Sequence, residues 1–388
     1  MKIKAVKKLY PNKTIDELRS SLLLFYLLES STVILIALQV WKILNFFKIP
    51  LKPLISLTGY NQFCAGETIE ECNHVAEKLE RFGVYSVFDY TNEHSFFEHD
   101  FEKNLESIVN TIKYQKKSNK LNFSVVKPSS IGHFLIYEKK SQNFYLSESD
   151  DEKWNKILKR FDILAKHAEI SNVVLMIDSE ESWIQSAIDE IIISLMKKYN
   201  NKKVVVATTI QLYLKNRDNY YIEHLKKSKE LNFIYAVKIV RGAYMQKETK
   251  RSKKLGIDNP ICSSKNVTDK QFRNAIKIGI KNSKKHLCII ATHNEDDIHY
   301  TIRLCKKLKI KLQNNNIWFS QLYGMRDYIS FSLSSRKINV LKYIPFGPLN
   351  LSVPYLIRRA IENSSVKKQL RKERKMIKYE IKKRKFIA

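Results

Sequence analysis

NVVLMID at 172–178, KVVVAT at 203–208 and IYAVKIV at 234–240 are short runs of β-branched and apolar residues. Each has the length of a buried strand and is too short for a helix. Between the first two lies Ser182–Tyr199, a segment of helical length. Strand, helix, strand in that order joins parallel strands through a helical crossover. Five more runs extend the pattern: VYSVFDYT at 84–91, FSVVKPS at 123–129, HLCIIAT at 286–292, IWFSQL at 317–322 and KYIP at 342–345. Another segment of helical length, Lys270–Lys284, separates two of them. Eight such units in about 280 residues suit a closed (β/α)8 barrel, which takes ~250 residues. A doubly wound open sheet is the alternative. That fold usually carries a Gly-rich phosphate turn after its first strand, whereas Asp89-Tyr90-Thr91-Asn92-Glu93 stands here.

Residues 1–83 read as an N-terminal helical arm, 84–365 as the barrel and 366–388 as a basic C-terminal tail. In the arm, Leu18, Leu22, Phe25, Tyr26 and Leu28 recur at helical spacing, and Pro50 and Pro53 end the region. A second helix is predicted over Thr68–Phe82, with Thr68 and Glu71 as a capping box and Gly83 as its stop. Leu22–Ile43 is the most apolar region, but Glu29 interrupts it. The uncharged run Ser30–Trp41 falls short of the ~20 residues a bilayer span needs. It reads as a packed helix, with an interfacial helix as the alternative.

Hydrophobic residues make up 44% and charged residues 28% of the 388, an ordinary soluble composition. The net charge of +30 is not ordinary, yet it is spread along the chain and shows no basic motif with interleaved aromatics. Abundant Lys, Asn and Ile point instead to biased genome composition, and nucleic acid is not expected as a partner. The basic run VKKQLRKERKMIKYEIKKRK at 366–385 reads as a solvated helix end, with attraction to anionic lipid as the functional alternative. The five cysteines are odd in number and lack CxxC spacing, so neither a disulfide framework nor a metal site is indicated.

Active sites of (β/α)8 barrels sit at the C-terminal ends of the strands. At those ends stand Asp89 and Glu93, Lys127, Asp178, Gln211, Arg241 with Tyr244, His293 with Asn294, Leu322 with Tyr323, and Tyr343. Singly, each has a plain reading: Lys127 as a surface lysine, Asp178 as a helix cap, His293 as a satisfied polar residue. Together they converge on one rim. After the last strand, YIPFGPLNLSVPYLIRRAIEN at 343–363 reads as strand, turn and helix, with Ser352 as N-cap. Tyr355, Arg358, Arg359 and Glu362 then share one helical face. Two guanidinium forks suit a carboxylate or phosphate; a solvated charged face is the alternative.

KIVRGAYMQKE at 238–248, ATHN at 291–294, QLYGM at 321–325 and YIPFG…PYLIRRAIEN at 343–363 resemble the proline dehydrogenase family. VKPSSIG at 126–132, IDSEESW at 177–183, QLYLK at 211–215 and FCAGETIEEC at 63–72 fit the same family in the same order. The resemblance runs from about residue 60 to about 365. It implies a distorted (β/α)8 barrel that binds FAD and oxidises L-proline to Δ1-pyrroline-5-carboxylate. It also implies a membrane quinone as electron acceptor and a separate pyrroline-5-carboxylate dehydrogenase downstream.

By the same resemblance Arg358, Arg359 and Lys127 clamp the proline carboxylate. Asp178, Glu93 and Glu362 are the available counter-charges, and a Glu93–Arg358 pair gates the pocket. Tyr343, Tyr355, Tyr244 and Leu322 wall the proline ring. Gln211, Lys238, Val240, Gly242, Ala243, Thr292, His293, Asn294 and Glu362 fall on flavin-contacting positions, with close backbone approach as the reason for Gly242. Lys265 and Thr268 resemble the segment that holds the FAD phosphate and adenosine portion, with Ser264 where some members have arginine. A bacterial cytoplasm with peripheral contact to the inner membrane is the expected location, with the mitochondrial matrix as the alternative. A Schiff-base aldolase using Lys127 or Lys238, and a nucleic-acid-binding protein, are the rival classes; both leave the ordered motifs unexplained.

Overall fold

The computed structural model describes residues 8–46, 60–91, 95–115, 121–349, 352 and 367–386. The strands are β1 Tyr85–Tyr90, β2 Asn122–Val126, β3 Val173–Ile177, β4 Val206–Gln211, β5 Ala236–Val240, β6 Leu287–Ala291, β7 Ile317–Leu322 and β8 Val340–Phe346. They form one eight-stranded sheet in the order β1-β8-β7-β6-β5-β4-β3-β2. Pairing is parallel from β2 through to β7 and between β1 and β8. This is the strand order of a (β/α)8 barrel, as the alternation of elements predicts. Two compact units make up the chain: 92–320, and a discontinuous one of 1–91 with 321–388.

Within 92–320 the helices are α5 Glu98–Tyr114, α6 Pro128–Ile131, α7 Phe134–Ser141, α8 Glu148–Ser171, α9 Ser182–Tyr199, α10 Arg217–Glu230, α11 Met245–Leu255, α12 Lys265–Asn282 and α13 Glu295–Lys307. Strands β2, β3 and β4 are buried along their whole length, as expected of parallel strands covered on both faces. β2 stops at Val126, before the expected Ser129. Pro128 has no N–H to give a ladder and instead opens α6, leaving Lys127 as its N-cap. β4 begins at Val206, three residues later than the sequence suggests. The buried Asn200 explains this: its Oδ1 accepts the N–H of both Val205 and Val206 at 2.9 Å, tying up the backbone just ahead of the ladder. Gln211 is therefore the last residue of β4 and not a loop residue beyond it.

The discontinuous unit holds α1 Ile15–Leu27, α2 Ser31–Phe46, α3 Tyr60–Phe63, α4 Ile69–Glu80, α14 Asp327–Ser334 and α15 Lys367–Lys385, around β1 and β8. Thr14 and Glu17 form a full capping box on α1 that the sequence reading missed. On α4 the predicted box is only half made. Thr68 accepts the Glu71 N–H, but the Glu71 carboxylate accepts from Glu67 instead of Thr68. The apolar region splits at Leu28–Ser30, and α2 leaves Leu35, Ile36, Val40 and Ile43 exposed, so it is not the packed helix expected. Among the described residues no single helix is long and apolar enough to cross a membrane.

After β8 a helical turn begins at 349, earlier than predicted. Ser352 N–H already bonds to Pro348 O at 2.9 Å, so Ser352 lies inside the first turn and is not its N-cap. Its hydroxyl donates to Gly347 O at 2.8 Å and lies 3.0 Å from the Thr91 hydroxyl. The basic run is not a free tail. α15 buries Leu370, Met376 and Ile377, and Glu380 accepts the Leu9 N–H. Arg384 donates to the carbonyls of Tyr10 and Lys13, and Arg374 pairs with Glu29 at 2.6 Å.

Candidate active site

In 92–320 the polar residues at the strand ends are held by one another. Lys127 is buried at the end of β2. Asp178 follows β3; its N–H donates to Val126 O at 2.9 Å, and its carboxylate pairs with the Lys238 ammonium from β5. Thr209 of β4 donates to the same carboxylate oxygen at 3.5 Å. The lysine side chain is 5% exposed and the aspartate 20%. Asp178 is thus an ion-pair partner and not a helix cap: α9 begins at Ser182 with Glu181 as N-cap. A carboxylate set against a buried ammonium offsets part of the cost of taking that group out of water.

The Gln211 amide bridges two loops. Its Nε2 donates to Glu180 O at 2.6 Å and its Oε1 accepts the Ala243 N–H at 3.2 Å. Gly242 has φ +135, and a Cβ there would lie 1.5 Å from the Tyr213 ring. The absent side chain makes room for Tyr213, a reason the sequence reading did not contain. Val240 ends β5, and its carbonyl accepts the Leu212 N–H at 2.8 Å. Tyr244 is the N-cap of α11 and is buried, with the Lys247 ammonium 5.2 Å above its ring.

Thr292 sits between two charged groups. Its hydroxyl accepts from Arg241 at 3.3 Å and from the Asn294 N–H at 3.1 Å, and donates to Asp297 at 3.3 Å. His293 is half-buried between Thr292 and Asn294, and Asn294 caps α13 through Asp296 N–H. Arg241 joins Asp269 and Asp297 at 2.8 and 2.7 Å. Burial alone would raise the Asp269 carboxyl; hydrogen bonds from Lys265 and Arg241 hold it below its usual range. Ser264 caps α12, and Lys265 and Thr268 lie in that helix's first turn, Lys265 exposed and Thr268 buried.

Residues beyond the sequence reading complete the framework. Glu180, fully buried, accepts the Ser129 N–H and hydroxyl at 2.8 and 2.7 Å. Glu248 accepts the Ser182 N–H and hydroxyl, both at 2.7 Å, and burial pushes its carboxyl up. The signal for Glu180 was present in IDSEESW, where acidic residues stand beside serines just past an apolar strand, whereas Glu248, between Lys247 and Thr249, carried no such signal.

In the discontinuous unit, Tyr343 is buried on β8 and its carbonyl accepts the Tyr323 N–H at 2.8 Å. Leu322 ends β7, and its carbonyl accepts from the buried Lys342 at 3.1 Å. Glu93, Tyr355, Arg358, Arg359 and Glu362 lie outside the described residues, and with them the expected Glu93–Arg358 pair. Among the described residues no cluster of His, Cys, Asp and Glu could hold a metal ion.

Comparison with known proteins bears on this arrangement. The profile described as proline dehydrogenase matches residues 72–372. The chain is 32% identical to the carbapenem antibiotics biosynthesis protein CarD of Pectobacterium carotovorum, over 84% of this chain and 85% of that one. It is equally 32% identical to mitochondrial proline dehydrogenase 1 of Dictyostelium discoideum, over 98% of this chain and 74% of that one. Among solved structures, proline utilization A (PutA) of Bdellovibrio bacteriovorus superposes with a TM-score of 0.71 at 20% identity, over 79% of this chain. The chain spans about a third of that protein, 33%, and the likeness shows the fold. On the profile match and these relatives, the chain belongs to the proline dehydrogenase family, oxidoreductases that act on the CH–NH group of proline.

Proposed function

We propose that the chain oxidises L-proline to Δ1-pyrroline-5-carboxylate with FAD as its cofactor and passes the electrons to a membrane quinone. A separate pyrroline-5-carboxylate dehydrogenase then takes the product. What supports the reading is the buried Lys238–Asp178 pair beside Lys127 at the strand ends of a chain in this family. A fixed cation suits a cofactor that gains negative charge on reduction.

Bound FAD would supply the hydride acceptor for proline C5. Gln211, Lys238, Val240, Gly242, Ala243, Thr292, His293, Asn294 and Glu362 would hold its ring and linker, and Lys265 and Thr268 its phosphate and adenosine portion. The donor set fits such a group: an anchored ammonium at Lys238, a capped helix start at Ser264, and a lysine in the first turn. Arg358, Arg359 and Lys127 take the proline carboxylate, with Asp178, Glu93 and Glu362 as counter-charges. Tyr343, Tyr355, Tyr244 and Leu322 pack the ring and exclude water. The substrate amine loses its proton to solvent before the transfer, so no side chain need act as base.

For the membrane surface, what supports the reading is a stripe on α15. Arg371, Lys375, Lys378, Lys382 and Lys385 are exposed at spacings of four and three, one helical face. Anionic headgroups attract such a stripe. For location we keep a peripheral enzyme at a quinone-bearing membrane, which the bacterial inner membrane and the mitochondrial one both provide.

The absorption spectrum of the purified protein tests the central reading. Flavin bands that bleach on adding L-proline are expected. A colourless protein, or bands indifferent to proline, overturns it.

A further inference from the structure

The loop Leu322–Arg326 between β7 and α14 is held from three directions, all within the discontinuous unit. Lys342 of β8, fully buried, donates to Leu322 O at 3.1 Å and Met325 O at 2.5 Å, and pairs with Asp327 at 2.8 Å. Gln62 of α3 donates to Gly324 O at 2.6 Å. The third hold comes from the chain's last helix. Glu373 accepts the Arg326 backbone N–H at 3.2 Å, and the same oxygen lies 3.8 Å from the Arg326 guanidinium. Its other oxygen accepts from Tyr10 at 3.2 Å.

Arg326 sits in the left-handed region at φ +55, where a side chain is disfavoured. Glu373 is buried and contributes both of its oxygens, so it is not an incidental neighbour of that strained residue. The Arg326 guanidinium is turned to Tyr328, donating to its hydroxyl at 2.6 Å. Lys342 and Glu373 therefore fix opposite kinds of backbone group in one turn, carbonyls by the lysine and an N–H by the carboxylate.

We infer that Glu373 is a positioning residue for proline oxidation, through which the C-terminal helix fixes the loop bearing Leu322 and Tyr323. The inference rests on the reading of Leu322 as part of the proline wall. Tyr323 couples the same loop to Tyr343, the other wall residue of this unit, through its N–H. Glu373 itself touches no substrate; it acts through the backbone of Arg326.

Hydrogen exchange of full-length Glu373→Ala, alongside proline kinetics, tests it. Amide exchange in 322–327 should accelerate about tenfold, since the Arg326 N–H loses its acceptor. The proline KM should rise about tenfold while kcat stays within about twofold, the signature of a displaced binding wall. Glu373→Gln retains one acceptor oxygen and should fall between the two; it also carries the comparison should Glu373→Ala not fold. Unchanged exchange in 322–327 overturns the inference, and so does faster exchange with the parental KM. If the parent protein does not oxidise proline, the proposed function fails while the exchange result still decides whether Glu373 holds the loop.

Discussion

The ring of Tyr213 fills the space in which a side chain at Gly242 would begin, with Cδ1 and Cε1 both 1.5 Å from the Cβ position. The loop also needs φ +135 there, which L side chains rarely adopt. Gly242→Ala should therefore destabilise the protein by about 3 kcal/mol, part steric and part backbone strain. Urea unfolding of Gly242→Ala in the parent and in a Tyr213→Ala background separates the parts. The second background should recover the steric share; equal penalties in both would show that the ring is not the obstacle.

Lys238 and Asp178 should be energetically coupled. Removing one member of a buried pair leaves the other's charge uncompensated, at about 3–5 kcal/mol, discounted here because Asp178 keeps a fifth of its surface. Lys238→Met should cost more than the double change Lys238→Met with Asp178→Asn. A double-mutant cycle by denaturant titration reads the coupling, and strict additivity of the two changes would refute it.

His286 makes the stability fall in mild acid. Fully buried, it places Nδ1 2.6 Å from Tyr235 O and Nε2 against the Tyr221 hydroxyl. A neutral ring donating at Nδ1 and accepting at Nε2 satisfies both. Burial lowers its pKa to about 4, from an ordinary 6.5. Between those values the unfolded chain binds more protons than the folded one, so stability is complete above about pH 6.5 and declines as pH falls toward 4. Midpoints of urea unfolding from pH 7 to 4 should drop, with a shallower drop in His286→Gln. A pH slope identical in the variant would assign the effect to other groups.

Removal of residues 367–388 should unsettle the discontinuous unit. It uncovers the partners of Leu370, Met376 and Ile377, each worth about 2 kcal/mol on burial. It also strips the acceptor of the Leu9 N–H and the donors to Tyr10 and Lys13. Calorimetry should show the melting temperature of the shortened chain lowered by about 8 °C or more. A transition at the parental temperature would mean that α15 adds little to the fold.

Arg359→Ala should weaken proline binding with little effect on flavin content. Losing a charge-assisted bidentate hydrogen bond costs about 2–3 kcal/mol, so the proline KM should rise by one to two orders of magnitude. Unaltered kcat/KM for proline would remove Arg359 from the carboxylate clamp.

The architecture was legible because parallel strands buried on both faces leave unbroken apolar runs, and eight of these survive as strands in their expected order. Boundaries were less legible where one side chain reset them. Asn200 delays β4, and Pro128 cuts β2 short, and neither effect shows in a periodicity. In the candidate site, the positions of Lys127, Asp178, Lys238 and Thr292 could be read because they stand next to apolar strands. Their partners could not. The Lys238–Asp178 pair joins residues 60 apart in sequence, and the Arg241–Asp297 pair joins residues 56 apart. The most misleading segment was the basic run at the end. Charged residues dominate this run, while the few residues that dock it, Leu370, Glu373, Met376, Ile377 and Glu380, are spaced among its lysines and arginines.

The bond from Leu9 N–H to Glu380 spans 371 residues, nearly the whole chain. On the ribosome Leu9 is made 371 residues before Glu380. The segment 92–320 is continuous and can acquire its fold during synthesis, whereas β1 must wait for β8 and Leu9 for α15. Until α15 is made, the Leu9 N–H lacks its acceptor Glu380, and the carbonyls of Tyr10 and Lys13 lack the Arg384 donors. Such long-range closure is slow, and it leaves the apolar side chains of α1 uncovered for the duration. α15 thus acts as a completion signal: a product terminated before it leaves Leu9, Tyr10 and Lys13 undocked from that helix and open to proteolysis there.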